Sequence, residues 1–276
     1  MDFTRTEAAQ DLSGLVATIV DSVCTPQHQR TLDELDQRFD KTLWSKLIDA
    51  DILSTAAPES VGGGGFGILE QTAILTPLGR QVAAVPYLES VVLAAGVLAR
   101  FGSPALHKEW AAPAVAGAKI LTVALDGELG QGPVQATAAG AGFRLTGTRT
   151  QVPFGPIADA FIVAAETNSG TKVFLVAAND PGVSVTSLET TGHGSSAEVD
   201  LAGVEVGADR VVGDGDALAW LLTRRAVGLT AYQLGVLERS LELTAEYART
   251  REQFDRPIGS FQAVSQRLAD DYIDIK

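Results

Sequence analysis

Basic side chains are concentrated in the last fifth of the sequence, and they are the first residues whose spacing could support chemistry. Eight of the 21 Lys and Arg residues lie there: Arg224, Arg225, Arg239, Arg249, Arg251, Arg256, Arg267 and Lys276. In an acidic chain this enrichment suits an anionic ligand, because a guanidinium pairs bidentately with phosphate. The alternative is a solvated helix face on which i,i+4 pairs with glutamates balance the arginines. Those glutamates are Glu238, Glu242, Glu246 and Glu252.

Other common catalytic patterns are missing from the sequence. The histidines, His28, His107 and His193, form no i,i+4 pair and have no cysteine cluster nearby. We therefore expect no metal site and interpret each histidine as a surface or capping residue. No nucleophile elbow and no phosphate-binding P-loop occurs. The glycine run 62–65 follows a helical stretch and not a strand, so we interpret it as a turn and not as a dinucleotide cradle.

The apolar pattern predicts an α+β fold with three domains. Residues 1–118 indicate an N-terminal helical domain, and residues 119–212 indicate a small middle β-barrel or sandwich. Residues 213–276 return to a helical pattern, which we interpret as the first two helices of a C-terminal bundle. These elements would have to position the basic residues.

The individual helices and strands are predicted from the period of the apolar residues and from the Gly, Asn and Pro residues between segments. Helical spacing is seen at Leu32, Leu35, Phe39, Leu43 and Leu47. Further helices are predicted over 68–82, 88–100, 104–116, 218–249 and 261–276, the last two separated by Pro257. Short strands are predicted over 120–125, 143–147, 160–165, 172–176 and 183–185.

Composition restricts the classes of partner. The chain has 276 residues, a net charge of −13 and a pI of about 4.6. No basic run offers a face to DNA or to an anionic membrane, so we expect neither partner. The single cysteine, Cys24, cannot form an internal disulfide, which is compatible with a reducing compartment. The polar N-terminus lacks the apolar core of a signal peptide, and no apolar run reaches about 18 residues, so we predict a cytoplasmic protein.

A block near the end of the chain resembles a signature of the acyl-CoA dehydrogenase family. The block runs from Tyr247 to Gln262 and reads YARTREQFDRPIGSFQ. Leu234-Gly235 upstream and the RLAD sequence from Arg267 to Asp270 downstream fall at the family's spacing, and Pro58-Glu59 followed by Gly62-Gly63 resembles its P-E-x-x-G-G turn. The resemblance covers nearly the whole chain. It implies a helical domain, a β-barrel and a four-helix bundle, in the same order as the helical, strand and helical segments predicted above.

The resemblance also implies FAD as cofactor and an acyl-CoA thioester as substrate. In that family a carboxylate removes the α-proton while the β-hydrogen leaves as hydride to FAD, and the protein supplies orientation and electrostatics. Arg251 and Gln262 match residues that contact FAD, usually that of a neighbouring subunit. Arg251 would pair with the pyrophosphate and Gln262 would donate an amide hydrogen bond. Phe254 matches an aromatic packed on the cofactor, with a core anchor as the alternative.

The flavin-lining motifs depart from the family pattern. The sequence from Leu125 to Gly130 stands where the family often has a T-E-P-x-x-G-S-D-like loop, and only Asp126 keeps a carboxylate there, which makes it a candidate cofactor-binding residue. Gln151-Val152-Pro153 replaces a Trp-x-Thr segment. Arg225 aligns with one known alternative position of the catalytic glutamate, and Asp255 replaces a glycine.

No catalytic residue can be assigned, because the resemblance places the commonest catalytic glutamate beyond Lys276. The chain is then either a fragment or a subunit whose bundle another chain completes. We carry three hypotheses forward. The first is an FAD-dependent acyl-CoA dehydrogenase acting in a homo-oligomer. The second is a degenerate partner subunit of a hetero-oligomeric dehydrogenase that helps bind FAD while a sister chain supplies the base. The third is a non-enzymatic protein that keeps only the fold.

Overall fold

The computed structural model describes residues 4–276 and begins with a layer of helices. Their bounds are α1 (Glu7–Val23), α2 (Pro26–Asp33), α3 (Lys41–Asp49), α4 (Ile52–Thr55), α5 (Ile68–Arg80), a π-helical segment Tyr87–Ala95, α6 (Gly96–Phe101), α7 (Pro104–Leu106), a second π-helical segment His107–Ala111, and α8 (Ala112–Val115). Side chains cap the N-termini of several of these helices. At α1 the Thr6 hydroxyl accepts from the Ala9 N–H at 3.1 Å, and at α3 the Asp40 carboxylate accepts from the Leu43 N–H at 2.9 Å.

Of the apolar residues with helical spacing at 32–47, Leu32 lies in α2 and Leu43 and Leu47 lie in α3, whereas Leu35 and Phe39 lie between the two helices. The chain leaves α2 after Asp33 and re-enters a helix at Lys41. Asp40 explains the restart, because its buried carboxylate caps α3 and also lies 2.8 Å from Nε2 of His28. Leu43 and Leu47 of α3 lie in the helical core, but Leu32 is buried outside that cluster and Leu35 is 47% exposed, so the apolar spacing does not mark one continuous buried face.

The glycine run forms a tight turn, as the sequence indicates. A 3₁₀ turn over Glu59–Val61 ends at Gly62, whose φ of 84° favours glycine. A Cβ on Gly63 would lie 2.1 Å from the Ala57 carbonyl oxygen, so no larger residue fits there without a backbone shift.

The middle of the chain is a mixed β-sheet. Its strands are β1 (Leu121–Ala124), β2 (Val134–Ala139), β3 (Gly142–Pro153), β4 (Ala160–Thr167), β5 (Gly170–Ala177), β6 (Val183–Ser187), β7 (Ser196–Gly207) and β8 (Val211–Asp214). Along the sheet the order is β6-β7-β3-β2-β4-β5-β8, with β1 parallel to β4. Within residues 4–276 the end strands β6 and β8 do not pair with each other. The sheet is therefore not closed into a barrel, and the predicted fold class, with helices, then a small β-structure, then helices, is confirmed.

The two faces of β4 belong to two different cores. Ala160 and Ile162 join the cluster formed by the helices, whereas Phe161 and Val163 join a cluster inside the folded sheet. This alternation is the period-2 pattern of a strand buried on both faces. The sheet is thus packed against the helical layer through a shared core.

The chain ends in a long helix, a hairpin and a second helix. These are α9 (Gly215–Thr250), β9 (Glu252–Gln253), β10 (Arg256–Pro257) and α10 (Gln262–Ile275). Helix α9 packs closely on α5 through glycines: a Cβ on Gly235 would lie 2.0 Å from the Thr76 carbonyl oxygen, and one on Gly79 would lie 2.0 Å from that of Tyr232. None of the helices in the described part of the chain has both the length and the apolarity needed to cross a membrane.

Candidate functional site

A cavity of about 200 Å³ lies where the helical layer, the sheet loops and α9 meet. Its walls are mainly apolar and come from α5, the segment Tyr87–Ala95, α9, and the loops around Phe154 and Ser195. Leu75, Leu88 and Leu229 are among the lining residues. Its position between the helices and the sheet makes it the candidate site for an apolar ligand group.

Glu89 is an ionisable residue in the wall of this cavity. Burial raises the pKa of its carboxyl to about 7, although a backbone N–H and the charge of Arg225 act in the opposite direction. No other described side chain forms a hydrogen bond or ion pair with this carboxylate. The carboxyl can therefore exist in either protonation state near neutral pH.

Two tyrosines are among the lining residues of this cavity, and their hydroxyls differ in hydrogen bonding. Tyr232 donates a long hydrogen bond of 3.4 Å from its hydroxyl to the Ala83 carbonyl oxygen. Tyr87 is fully buried, and its hydroxyl has no hydrogen-bond partner among residues 4–276. A buried polar group without a partner is costly, so the Tyr87 hydroxyl needs a specific explanation.

Asp126 lies in the loop after β1 and forms an ion pair with Arg225 of α9. Nη1 of Arg225 donates to Oδ1 of Asp126 at 3.0 Å, and Nη2 donates to Oδ2, so the contact is bidentate. Arg149 of β3, which is only 7% exposed, adds a second positive charge near Asp126. The one carboxylate retained in the predicted flavin-lining loop is thus already neutralised by an arginine.

The other predicted cofactor-binding residues lie on the hairpin after α9. The hairpin turn consists of Phe254 and Asp255, with φ values of 56° and 61°. Aspartate tolerates this left-handed conformation, which explains how Asp255 can stand where the family has glycine. Phe254 is 86% exposed, and its ring meets that of Phe261 edge to face, with the centroids 6.1 Å apart. The core-anchor alternative for Phe254 therefore does not hold within this chain.

Arg251 and Gln262 lie on either side of that hairpin in the sequence. Arg251 follows the last residue of α9, Gln262 begins α10, and both are exposed. No carboxylate lies within 4 Å of the Arg251 guanidinium in the described part of the chain. The hairpin region therefore exposes a guanidinium, an amide and an aromatic ring to solvent.

The structure does not bring Asp126 together with the hairpin residues. Asp126 contacts α9 at Arg225, whereas the hairpin follows its last residue, Thr250. At 1.5 Å per residue these points are about 38 Å apart along the helix. Within one copy of the chain, the four predicted cofactor-binding residues therefore lie on two separate surfaces.

The basic residues of the C-terminal region are balanced only in part. Arg239 pairs with Glu242 at 3.2 Å, but Glu242 also receives the Arg80 guanidinium of α5 at 2.7 Å. This arrangement lowers the pKa of Glu242 through its hydrogen bond with Arg80. The glutamates therefore tie α9 to α5 more than they balance their own helix.

The three histidines do not come together. His28 contacts the carboxylate of Asp40, and His107 has a buried Nε2 without a partner, so His107 is not simply a surface residue. Across residues 4–276, no three His, Cys, Asp or Glu side chains are grouped so that they could hold a metal ion.

Comparison with known proteins identifies the family. The family model "Acyl-CoA dehydrogenase, N-terminal domain" matches residues 6–118, and "Acyl-CoA dehydrogenase, C-terminal domain" matches residues 213–276. Acyl-CoA dehydrogenase FadE27 of Mycobacterium tuberculosis is 70% identical over all of this chain and 74% of that protein. The chain belongs to the acyl-CoA dehydrogenase family. Enzymes of this family oxidise CH–CH bonds and use FAD as cofactor.

Two solved structures support the same fold. A chain of the ChsE4-ChsE5 complex from Mycobacterium tuberculosis superposes with a TM-score of 0.98 at 70% identity, over 100% of this chain and 76% of that one. A variant of the Tcur3481-Tcur3483 steroid ACAD superposes with a TM-score of 0.92 at 37% identity, over 99% of this chain and 75% of that one. The chain thus spans about three quarters of the length of these relatives.

Sequence reasoning missed the cavity residues. Glu89 is a lone acid in the apolar run from Val85 to Ala95, and that isolation is a signal that could have drawn attention to it. The unpaired Tyr87 hydroxyl had no sequence signal, because its environment depends on how α5, α9 and the sheet loops meet.

Proposed function

We propose that this chain is the partner subunit of a hetero-oligomeric acyl-CoA dehydrogenase. It contributes Arg251, Phe254 and Gln262 to an FAD shared with a sister chain, and the sister chain supplies the catalytic base. The observation that carries the proposal is the Arg225–Asp126 ion pair. It puts a cation where the family resemblance has an alternative catalytic glutamate, and it neutralises the carboxylate of the flavin-lining loop.

The charge of the adjoining cleft supports this proposal. A cleft of about 750 Å³ shares Arg38, Gly194 and Ser195 with the cavity. Four carboxylates line it, on Asp33, Glu34, Asp36 and Glu189. Arg38 is held by Asp33 at 2.8 Å, so no unpaired arginine or lysine of the lining faces a ligand. The phosphates of CoA would be repelled from such a cleft, which disfavours thioester binding on this side of the chain.

The relatives point in the same direction. The ChsE4-ChsE5 and Tcur3481-Tcur3483 structures are each named for two different components. For this chain we propose the corresponding arrangement, with an acyl-CoA bound by the catalytic sister chain. A cytoplasmic location also remains a proposal.

The roles of the chain's own residues follow from charge and geometry. FAD, when bound, accepts the hydride that leaves the β-carbon of the acyl group. The Arg251 guanidinium would pair with the cofactor's phosphates, and the Gln262 amide would donate a hydrogen bond to it. Phe254, exposed at the hairpin tip, would pack on the cofactor and lose its contact with water.

Flavin absorbance of purified protein tests the proposal. The chain is purified alone, and again after co-expression with the product of the neighbouring gene. Flavin that appears only in the co-purified complex supports a partner subunit. Flavin retained by the chain alone would instead support the homo-oligomeric enzyme, and absence from both preparations would refute both assignments.

Arg251→Ala tests the hairpin within that complex. We expect the FAD content to fall several-fold, because a charge-assisted contact to phosphate contributes about 1.5–3 kcal/mol. Arg249→Ala is the matched control, since Arg249 lies two residues earlier, is also exposed, and has no assigned contact with the cofactor. Unchanged flavin content in Arg251→Ala would exclude the role given to Arg251.

A further inference from the structure

Two arginines on neighbouring helices carry charges that no carboxylate of the described chain neutralises. Arg100 lies in the last turn of α6, and Arg224 lies well inside α9. Among residues 4–276, neither guanidinium forms a hydrogen bond or an ion pair. The residues three and four positions away from each arginine include no acid, so the pairs that balance a solvated helix face are missing. The helix dipole favours a cation at Arg100 but not at Arg224.

The two guanidiniums lie over two aromatic rings that are held between these helices. Cζ of Arg100 is 5.4 Å from the ring centroid of Phe101, and Cζ of Arg224 is 5.1 Å from that of Trp220. The two rings meet edge to face with their centroids 6.2 Å apart. Both pack against the helical core, and a Cβ on Gly96 would lie 2.9 Å from the Trp220 indole, so the rings have little freedom to move. We call Arg100, Phe101, Trp220 and Arg224 the arginine–aromatic patch.

The arginine–aromatic patch holds like charges near each other. Burial lowers the pKa of Arg224, and the charge of Arg100 lowers it further. Because arginine stays protonated in proteins, the repulsion is not relieved by loss of a proton. An anion placed between the two guanidiniums would relieve it, and carboxylates pair with guanidiniums through two parallel hydrogen bonds. The patch is therefore suited to recognise negative charge.

The shape of the patch favours a protein as the partner. Neither the cavity nor the cleft described above includes any of its four residues. Because each ring already has a guanidinium over it, the patch offers charge more than an open aromatic face, which favours carboxylates over a stacked nucleobase. Trp and Arg are also enriched among the residues that contribute most to protein–protein binding. We infer that the arginine–aromatic patch docks an acidic segment of a separate protein, whose Asp or Glu carboxylates pair with Arg100 and Arg224.

The docked protein is distinct from the sister chain proposed to share FAD. From Arg224 to Thr250, the last residue of α9, the helix rises by about 39 Å. The hairpin proposed to contact FAD follows Thr250, so the patch lies far from that surface. This step rests on the proposed function, whereas the charge and geometry of the patch do not.

Fluorescence anisotropy with a fluorescein-labelled dodecapeptide of alternating Glu and Ala tests the patch. The chain is used in the form in which it purifies, alone or with its partner. We expect Arg100→Gln and Arg224→Gln each to weaken binding about fivefold, since each removes a charge-assisted contact at a partly exposed site. Arg144→Gln is the matched control, because it also removes one positive charge, but Arg144 already pairs with Glu205 at 2.6 Å. Added salt should weaken the binding to wild type.

Trp220 supplies a signal that locates the bound peptide. The other two tryptophans, Trp44 and Trp110, are buried, whereas Trp220 is partly exposed. Carboxylates that engage Arg224 alter the surroundings of the Trp220 indole, so the unlabelled peptide should change the tryptophan fluorescence. Trp220→Phe should lose this change and still bind the labelled peptide.

Three results would overturn the inference: no binding to wild type, equal binding of a peptide of alternating Gln and Ala, or equal weakening by Arg224→Gln and Arg144→Gln. Sedimentation of the Arg100→Gln/Arg224→Gln double variant tests the source of the acidic segment. An unchanged mass supports a separate protein, and a smaller assembly would assign the patch to contacts within the oligomer and overturn the docking of a separate protein. None of these measurements depends on flavin content, so their failure is distinguishable from failure of the proposed function.

Discussion

Replacing Glu89 by Gln should stabilise the protein above neutral pH and leave its stability almost unchanged in acid. Glutamine has nearly the same volume and is neutral at every pH, so the substitution removes only the ionisation. Burial raises the pKa of Glu89 from its ordinary 4.5 to about 7, which means that the folded state binds this proton more tightly than the unfolded state.

The sign and size of the effect follow from that shift. Below pH 4.5 both states carry the protonated carboxyl, and wild type and Glu89→Gln differ little. Between pH 4.5 and about 7 the wild type loses about 1.36 kcal/mol per pH unit, because unfolding releases the proton. The whole difference is therefore roughly 3 kcal/mol as an upper value. Partial access of water from the cavity lowers our expectation to about 2–3 kcal/mol.

Urea denaturation at pH 5, 6, 7 and 8 measures this difference, with circular dichroism as the signal. The control is Glu242→Gln, which should show the opposite sign. The hydrogen bond with Arg80 lowers the pKa of Glu242, so its contribution is present above pH 4.5 and is lost as the pH falls. A stability gap between wild type and Glu89→Gln that does not grow from pH 5 to pH 8 would refute the reasoning about burial.

Two further predictions concern packing and capping. Gly235→Ala should cost about 2–4 kcal/mol in urea denaturation, because its Cβ would lie 2.0 Å from the Thr76 carbonyl oxygen and force α5 and α9 apart. Gly14→Ala, in open space on α1, should instead leave stability unchanged or raise it by up to about 1 kcal/mol, and equal losses in both variants would contradict the close-approach argument. Asp40→Ala should destabilise by about 1–3 kcal/mol, since it removes the cap that accepts from the Leu43 N–H and leaves that buried donor unpaired. A loss below about 0.5 kcal/mol in thermal or urea unfolding would show that Asp40 does not set the start of α3.

Helices with strong periodicity were predictable, and weakly patterned strands were not. The prediction of a helix over 218–249 corresponds to α9, and that over 68–82 corresponds to α5. Strands β2, β7 and β8 were not predicted. β2 is rich in small residues, whereas β7 alternates Val199 and Leu201, which lie in the sheet core, with Glu198 and Asp200, and this period-2 pattern is a strand signal that could have been used. The domain limits at 118 and 212 remain predictions.

The sequence by itself determined the family signature and the order of structural classes. The block from Tyr247 to Gln262 is local, so its resemblance could be read without any tertiary contact. The exposed turn at Phe254 and Asp255 lies within that block. For this reason the hairpin was foreseeable as a unit, although its contact with FAD remains a proposal.

Only the tertiary structure decided how the charged residues are paired. Asp126 and Arg225 are 99 residues apart, and no local pattern links them. Their ion pair arises because the loop after β1 packs against α9, which the shared core of sheet and helices enforces. The same long-range packing encloses Glu89 and leaves the Tyr87 hydroxyl without a partner. Burial and distance between remote segments therefore set the chemistry of this chain, whereas local sequence set its fold class.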